Sequence, residues 1–105
     1  MEIIETSVFT RRIVELMSDE EYRLLQQTLV ARPDWGVVIP GSGGLRKLRW
    51  NTPGSGKRGG TRIIYYWAVR DDIILLLFIF RKNEASDLTP AQIKALRKIV
   101  EEEYP

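Results

Sequence analysis

A chain of 105 residues with 44% hydrophobic and 29% charged side chains has the composition of one globular domain, residues 1–105, with no room for a second. It contains no cysteine and no histidine, which excludes disulfides, thiolate metal sites, a thiol nucleophile and an imidazole base. The net charge is only +2, but residues 41–70 hold seven of the basic side chains and no carboxylate, so the excess positive charge lies in one segment.

The start of the chain has no long apolar stretch of the kind a leader needs, and the apolar run 73–80 is too short to cross a bilayer. A cytoplasmic protein without membrane contact is expected. Residues 2–8, with β-branched Ile3, Ile4 and Val8, are predicted as a first strand. Phe9, Ile13, Leu16 and Met17 then recur at helical spacing over 9–17. Ser18 and Glu21 form a capping-box pattern for a second helix, whose apolar stripe Tyr22, Leu25, Leu29 and Val30 ends before Pro33.

Glycine-rich residues 40–44 make a turn into a strand over 45–51, a second glycine-rich loop spans 52–60, and strands over 61–69 and 73–80 follow around the turn Arg70-Asp71-Asp72. The strand 73–80 is apolar in both alternating sets, which predicts a position covered on both faces. Thr89, Pro90 and Gln92 announce a last helix to about Glu103. The order β-α-α-β-β-β-α gives an α+β domain with a mostly antiparallel sheet of about four strands, two N-terminal helices and one C-terminal helix.

Chemistry is sought in the basic segment. Its glycine-rich loop, Gly54 to Gly60, lacks the G-x-x-x-x-G-K-[ST] order and the following helix of a phosphate-binding loop. Lys57 and Arg58 at its tip suit contacts with a nucleic-acid backbone instead, as do Arg46 and Arg81. Strand alternation places Lys47 and Arg49 on one face, Arg62 with Ile64 and Tyr66 on one face, and Phe78, Phe80 and Lys82 on one face. If these faces coincide, Lys47, Arg49, Arg62 and Lys82 converge. Trp35, Trp50, Tyr65, Tyr66 and Trp67 read as packing residues rather than base-stacking platforms.

Three ordered segments are similar to a known family: Gly43-Gly44-Leu45-Arg46-Lys47-Leu48-Arg49, Gly56 through Tyr66, and Phe80-Arg81-Lys82-Asn83-Glu84-Ala85-Ser86-Asp87-Leu88-Thr89. With Leu16 through Tyr22 they resemble the HigB branch of the RelE/ParE superfamily, the mRNA-cleaving toxins of type II toxin–antitoxin systems. The resemblance implies a fold related to microbial ribonucleases and cleavage of mRNA in the A site of the 70S ribosome; no cofactor or metal is expected. It also implies neutralisation by a HigA-like helix-turn-helix antitoxin, through which alone operator DNA would be bound. On it, Arg62 stands at the transition-state arginine, Lys82 at a second cationic catalytic position, and Lys47 and Arg49 beside the scissile phosphate. Relatives carry tyrosine or histidine near the position of Leu88, so the general acid and base are not assigned by resemblance; Lys47, Lys82 and, more weakly, Glu84 are the candidates for proton transfer. The competing expectation is a module that binds nucleic acid, or docks an antitoxin, without catalysis.

Overall fold

The computed structural model describes residues 1–51, 60–85 and 87–104. The chain runs β1 (Glu2–Glu5), α1 (Ser7–Leu16), α2 (Asp19–Ala31), β2 (Val37–Val38), β3 (Arg46–Trp50), β4 (Thr61–Ala68), β5 (Ile73–Arg81) and α3 (Pro90–Glu103). The strands form one sheet in the order β1-β5-β4-β3-β2, in which β1 runs parallel to β5 and the other neighbours are antiparallel. The architecture is α+β, with one strand more than the sequence reading expects. The extra strand is β2, two residues with both side chains exposed and therefore without an apolar alternation to announce it.

The first strand is also shorter than expected, because Thr6 is a junction. Its amide donates to the Leu76 carbonyl (3.0 Å) and its hydroxyl to the Leu77 carbonyl (2.8 Å), while Oγ1 accepts the Phe9 amide (3.1 Å). One residue thus closes β1 against β5 and caps α1. Ser18 likewise caps α2 by accepting the Glu21 amide (3.1 Å), and Thr89 and Gln92 complete the expected capping box of α3.

The sheet is covered on both faces. Phe9 and Ile13 of α1, Met17 at its C-cap, and Leu25 and Leu29 of α2 pack on Leu48, Trp50, Ile63, Tyr65, Ile74, Leu76 and Ile79. On the opposite face Val100, with half-buried Ile93 and Leu96, packs beside Leu45, Ile64, Leu75, Leu77, Phe80 and Leu88. The doubly apolar β5 therefore contributes to both layers, as its composition requires. A bulge breaks its alternation: Ile64 pairs with Phe78 and Tyr65 with Leu76, so Leu77 is the extra residue. Leu77 and Phe78 consequently both contribute to the α3 layer.

Tyr65 locks the connection between α2 and β2 from inside. Its buried hydroxyl donates to the Pro33 carbonyl (2.7 Å) and accepts the Gly36 amide (2.8 Å). At the start of β4, Gly60 has φ +60 and sits where a Cβ would lie 2.6 Å from the Trp50 carbonyl oxygen, so glycine alone fits there. No helix among the described residues is long and apolar enough to cross a membrane.

A candidate phosphate-binding and cleavage site

Register decides which cations meet. Arg49 is directly opposite Arg62 across β3 and β4, Arg62 is opposite Phe80 across β4 and β5, and Lys47 is opposite Ile64. Cross-strand partners share a face, so Lys47, Arg49 and Arg62 emerge on the α3 side of the sheet. The three thus share one face, the condition on which the sequence reading had Lys47, Arg49, Arg62 and Lys82 converge. Their environments differ, however: Arg49 is exposed, the Lys47 side chain is 22% exposed, and Arg62 is 7% exposed, one of the few buried polar residues.

Burial makes Arg62 an unusual guanidinium. Desolvation first, and the facing Arg49 second, push its pKa below the ordinary arginine value, while Asp87 pulls the other way. It remains charged at any physiological pH, but it is a charge held in a poorly solvated place beside another of the same sign. Such a group gains more from an incoming phosphate than an exposed one does.

Asp87 is the residue the sequence reading left out. Its Oδ2 lies 3.2 Å from Lys47 Nζ, and its Oδ1 accepts the Leu88 amide at 2.8 Å. The bond to the Leu88 amide and then Lys47 and Arg49 hold its carboxyl below the usual carboxylate range. A carboxylate thus faces the three cations as an internal anion. The available signal was Asp87 just before the Thr89 cap, where the chain returns along the sheet after β5.

The remaining expected residues divide. Lys82 is exposed in the turn after β5, and its amide donates to the Gly60 carbonyl (3.3 Å), which sets it at the entrance to β4 two residues before Arg62. Arg81 turns elsewhere: it pairs with Thr61, and its Nη2 donates to the Glu15 carbonyl at the end of α1 (3.3 Å). Arg46 is opposite Tyr65, hence on the other face from Lys47, and its Nη1 donates to the carbonyls of Asp34 (3.2 Å) and Gly36 (2.8 Å). It ties the α2–β2 connection down. Lys57 and Arg58 lie outside the described residues.

Glu84 is ion-paired with Arg12 at 2.6 Å and held below the ordinary carboxylate range, first by the Arg81 amide and then by Arg12, which leaves it a poor base. Leu88, in the region where a tyrosine or histidine was sought, is buried in the α3 layer. Trp50 packs in the core with Nε1 donating to Glu21 (3.2 Å), but Trp35 is half exposed under the Arg32 guanidinium (5.6 Å), against expectation. Among the described residues no cluster of three or more acidic side chains is placed to hold a metal ion.

No family model matches the sequence. The backbone, by contrast, superposes on that of a double arginine-to-alanine mutant of the Escherichia coli toxin RelE in its free state. The TM-score is 0.60 over 93% of this chain and 94% of the other, with 9% sequence identity. The fold is RelE-like. Within it, the cation cluster occupies the β3–β4–β5 face beside the last helix, built from residues 46–50, 61–68, 82–85 and 87–89. The RelE-like fold thus presents a basic face in which one arginine is buried, one lysine is bound to a carboxylate, and one arginine is free to solvent on the same surface.

Proposed function

We propose that the chain is the toxin of a type II toxin–antitoxin pair, of the HigB-like branch: an endoribonuclease that cleaves mRNA in the ribosomal A site and so inhibits translation. The observation that carries the proposal is the convergence of Lys47, Arg49 and buried Arg62 on one face of a RelE-like fold. Attack of an RNA 2′-hydroxyl on its own phosphate passes through a phosphorane with two negative charges. Preorganised cations stabilise that charge best when they are already desolvated, because no water must then be reorganised.

In this reading Arg62 binds a non-bridging oxygen of the phosphorane and Arg49 a second one. Lys47 leaves Asp87 for the incoming phosphate, and Lys82 closes the site from the turn at Gly60. Lys47 or Lys82 carries the proton lost by the 2′-hydroxyl or gained by the leaving 5′-oxygen, the amine accepting it and the ammonium returning it. Ribosome-bound mRNA, held in line, supplies orientation that the free protein lacks. Arg46 and Arg81 have structural ties and contribute long-range attraction rather than specific contacts, with Lys57 and Arg58 as further RNA-binding candidates. A HigA-like helix-turn-helix antitoxin restrains the activity and contacts operator DNA.

Expression without an antitoxin tests this directly. Growth should stop, and primer extension on programmed 70S ribosomes should show new 5′ ends within the A-site codon. A chain that binds RNA but leaves programmed mRNA intact is the non-catalytic module instead.

A further inference from the structure

The turn that carries Lys82 is held by polar ties rather than by packing. Behind it lies a cleft of about 220 Å³ lined by Arg12, Glu15, Leu16, Arg81 and Glu84. Across this cleft Arg12 of α1 donates through Nε to the Ile79 carbonyl (2.7 Å) and through Nη2 to Glu84 Oε2 (2.6 Å), with its guanidinium 5.1 Å from the Phe78 ring centroid. The other oxygen of Glu84 accepts the Arg81 amide (2.9 Å), and the Glu84 amide returns a bond to the Arg81 carbonyl (3.0 Å). One carboxylate therefore ties the first amide of the turn to a helix on the opposite side of the sheet from the cation cluster.

We infer that Arg12 and Glu84 are positioning residues for the cleavage reaction, forming a bracket that sets the 81–85 turn, and with it Lys82, against the entrance to β4. This rests on the function proposed above. Neither residue bonds Lys47, Arg49, Arg62 or Asp87. Arg12 is committed to Ile79 and Glu84, and Glu84 to Arg12 and the Arg81 amide, so they act on the site only through the backbone between them. Arginine suits the task because its planar fork serves two acceptors at once while its face lies on an aromatic ring. With a cleft behind it, a turn freed from the bracket has no packed wall to return it to register.

The test is single-turnover cleavage on programmed ribosomes over a range of protein concentrations. Arg12→Ala and Glu84→Ala should lower the maximal rate by roughly tenfold to a hundredfold, the scale on which a misplacement of about 1 Å acts. The half-saturating concentration should hardly move, since the basic face is intact. The double variant should be no slower than the slower single one, because the two residues work as a unit. Arg12→Lys should restore only part of the rate, keeping the ion pair but losing the second bond. In Glu84→Ala the Arg81 amide should exchange its hydrogen faster, while Glu101→Ala, which breaks an exposed pair with Arg97 on α3, should leave cleavage at the wild-type rate. Wild-type maximal rates in both alanine variants overturn the inference, as does a loss confined to the half-saturating concentration. A wild-type chain that cleaves nothing overturns the proposed function, and the bracket's role falls with it.

Discussion

Replacing Asp87 by asparagine isolates the internal anion of the basic face. The amide oxygen can still accept the Leu88 amide, so the local backbone bond is kept and only the charge beside Lys47 is removed. Two consequences follow for RNA binding. The Asp87 side chain is 59% exposed, so its repulsion of an incoming phosphate belongs at the aqueous end of the Coulomb range, about 1 kcal/mol or about a fivefold gain in affinity. Freed Lys47 also neutralises one more phosphate, which steepens log K against log salt by about 0.7 for a single strand. Over a fourfold rise in salt, from about 50 to about 200 mM, the variant should lose about 2.6 times more affinity than wild type. Fluorescence anisotropy with a short RNA, 2′-O-methylated to prevent cleavage, measures both quantities. Parallel salt plots for the two proteins, or weaker binding by Asp87→Asn, would refute the view that Asp87 occupies Lys47 in the free protein.

Arg62→Met keeps much of the buried volume and removes a desolvated charge opposite Arg49; cleavage should fall by roughly a hundredfold or more, as when one transition-state donor is lost, with circular dichroism checking that the variant is folded. Arg62→Lys should recover only part of the rate, an ammonium being unable to make the bidentate contact. Tyr65→Phe strands both the Pro33 carbonyl and the Gly36 amide and should cost about 2 kcal/mol or more, lowering the unfolding midpoint on the order of 10 °C, measured by circular dichroism. Glu84 and Asp87 both have carboxyls held below the ordinary range in the fold. Their stabilisation is therefore complete above the unfolded carboxylate range and lost as pH falls through the lower folded values, so urea midpoints should be flat near neutrality and decline in acid, less so in Glu84→Gln.

Much of the fold is legible in the chain because its local signals agree with one another. Ser18, Thr89 and Gln92 mark helix starts, and the doubly apolar run 73–80 marks a strand enclosed on both sides. What escapes is set by tertiary pairing. Glu2–Glu5 lies parallel to β5, a partner some 70 residues away in the chain that no local pattern specifies. Val37 and Val38 form a strand only because β3 offers them an edge. The bulge at Leu77 shifts alternation by one residue, so a face counted along the sequence through Phe78 cannot be carried past it. At the site, alternation joined Lys47 with Arg49, but only the β3–β4 register puts Arg62 on their face, and exposure was not legible: Arg62 is buried and Trp35 is not. Asp87 and Glu84 lie in the connection between β5 and α3, where period carries no information, and Arg12 of α1 meets Glu84 across most of the length of the chain.

The position of β5 between β1 and β4 has a consequence for when this molecule exists at all. The first strand made waits for the last: until residues 73–81 have been synthesised, β1 has no neighbour, Thr6 has no Leu76 or Leu77 and Arg12 no Ile79 to bond to. A growing or prematurely terminated chain therefore holds its cations on an incomplete sheet, and ordering arrives in one late step dominated by long-range pairing. Whatever the finished protein does is withheld from its own fragments for the whole interval of its synthesis.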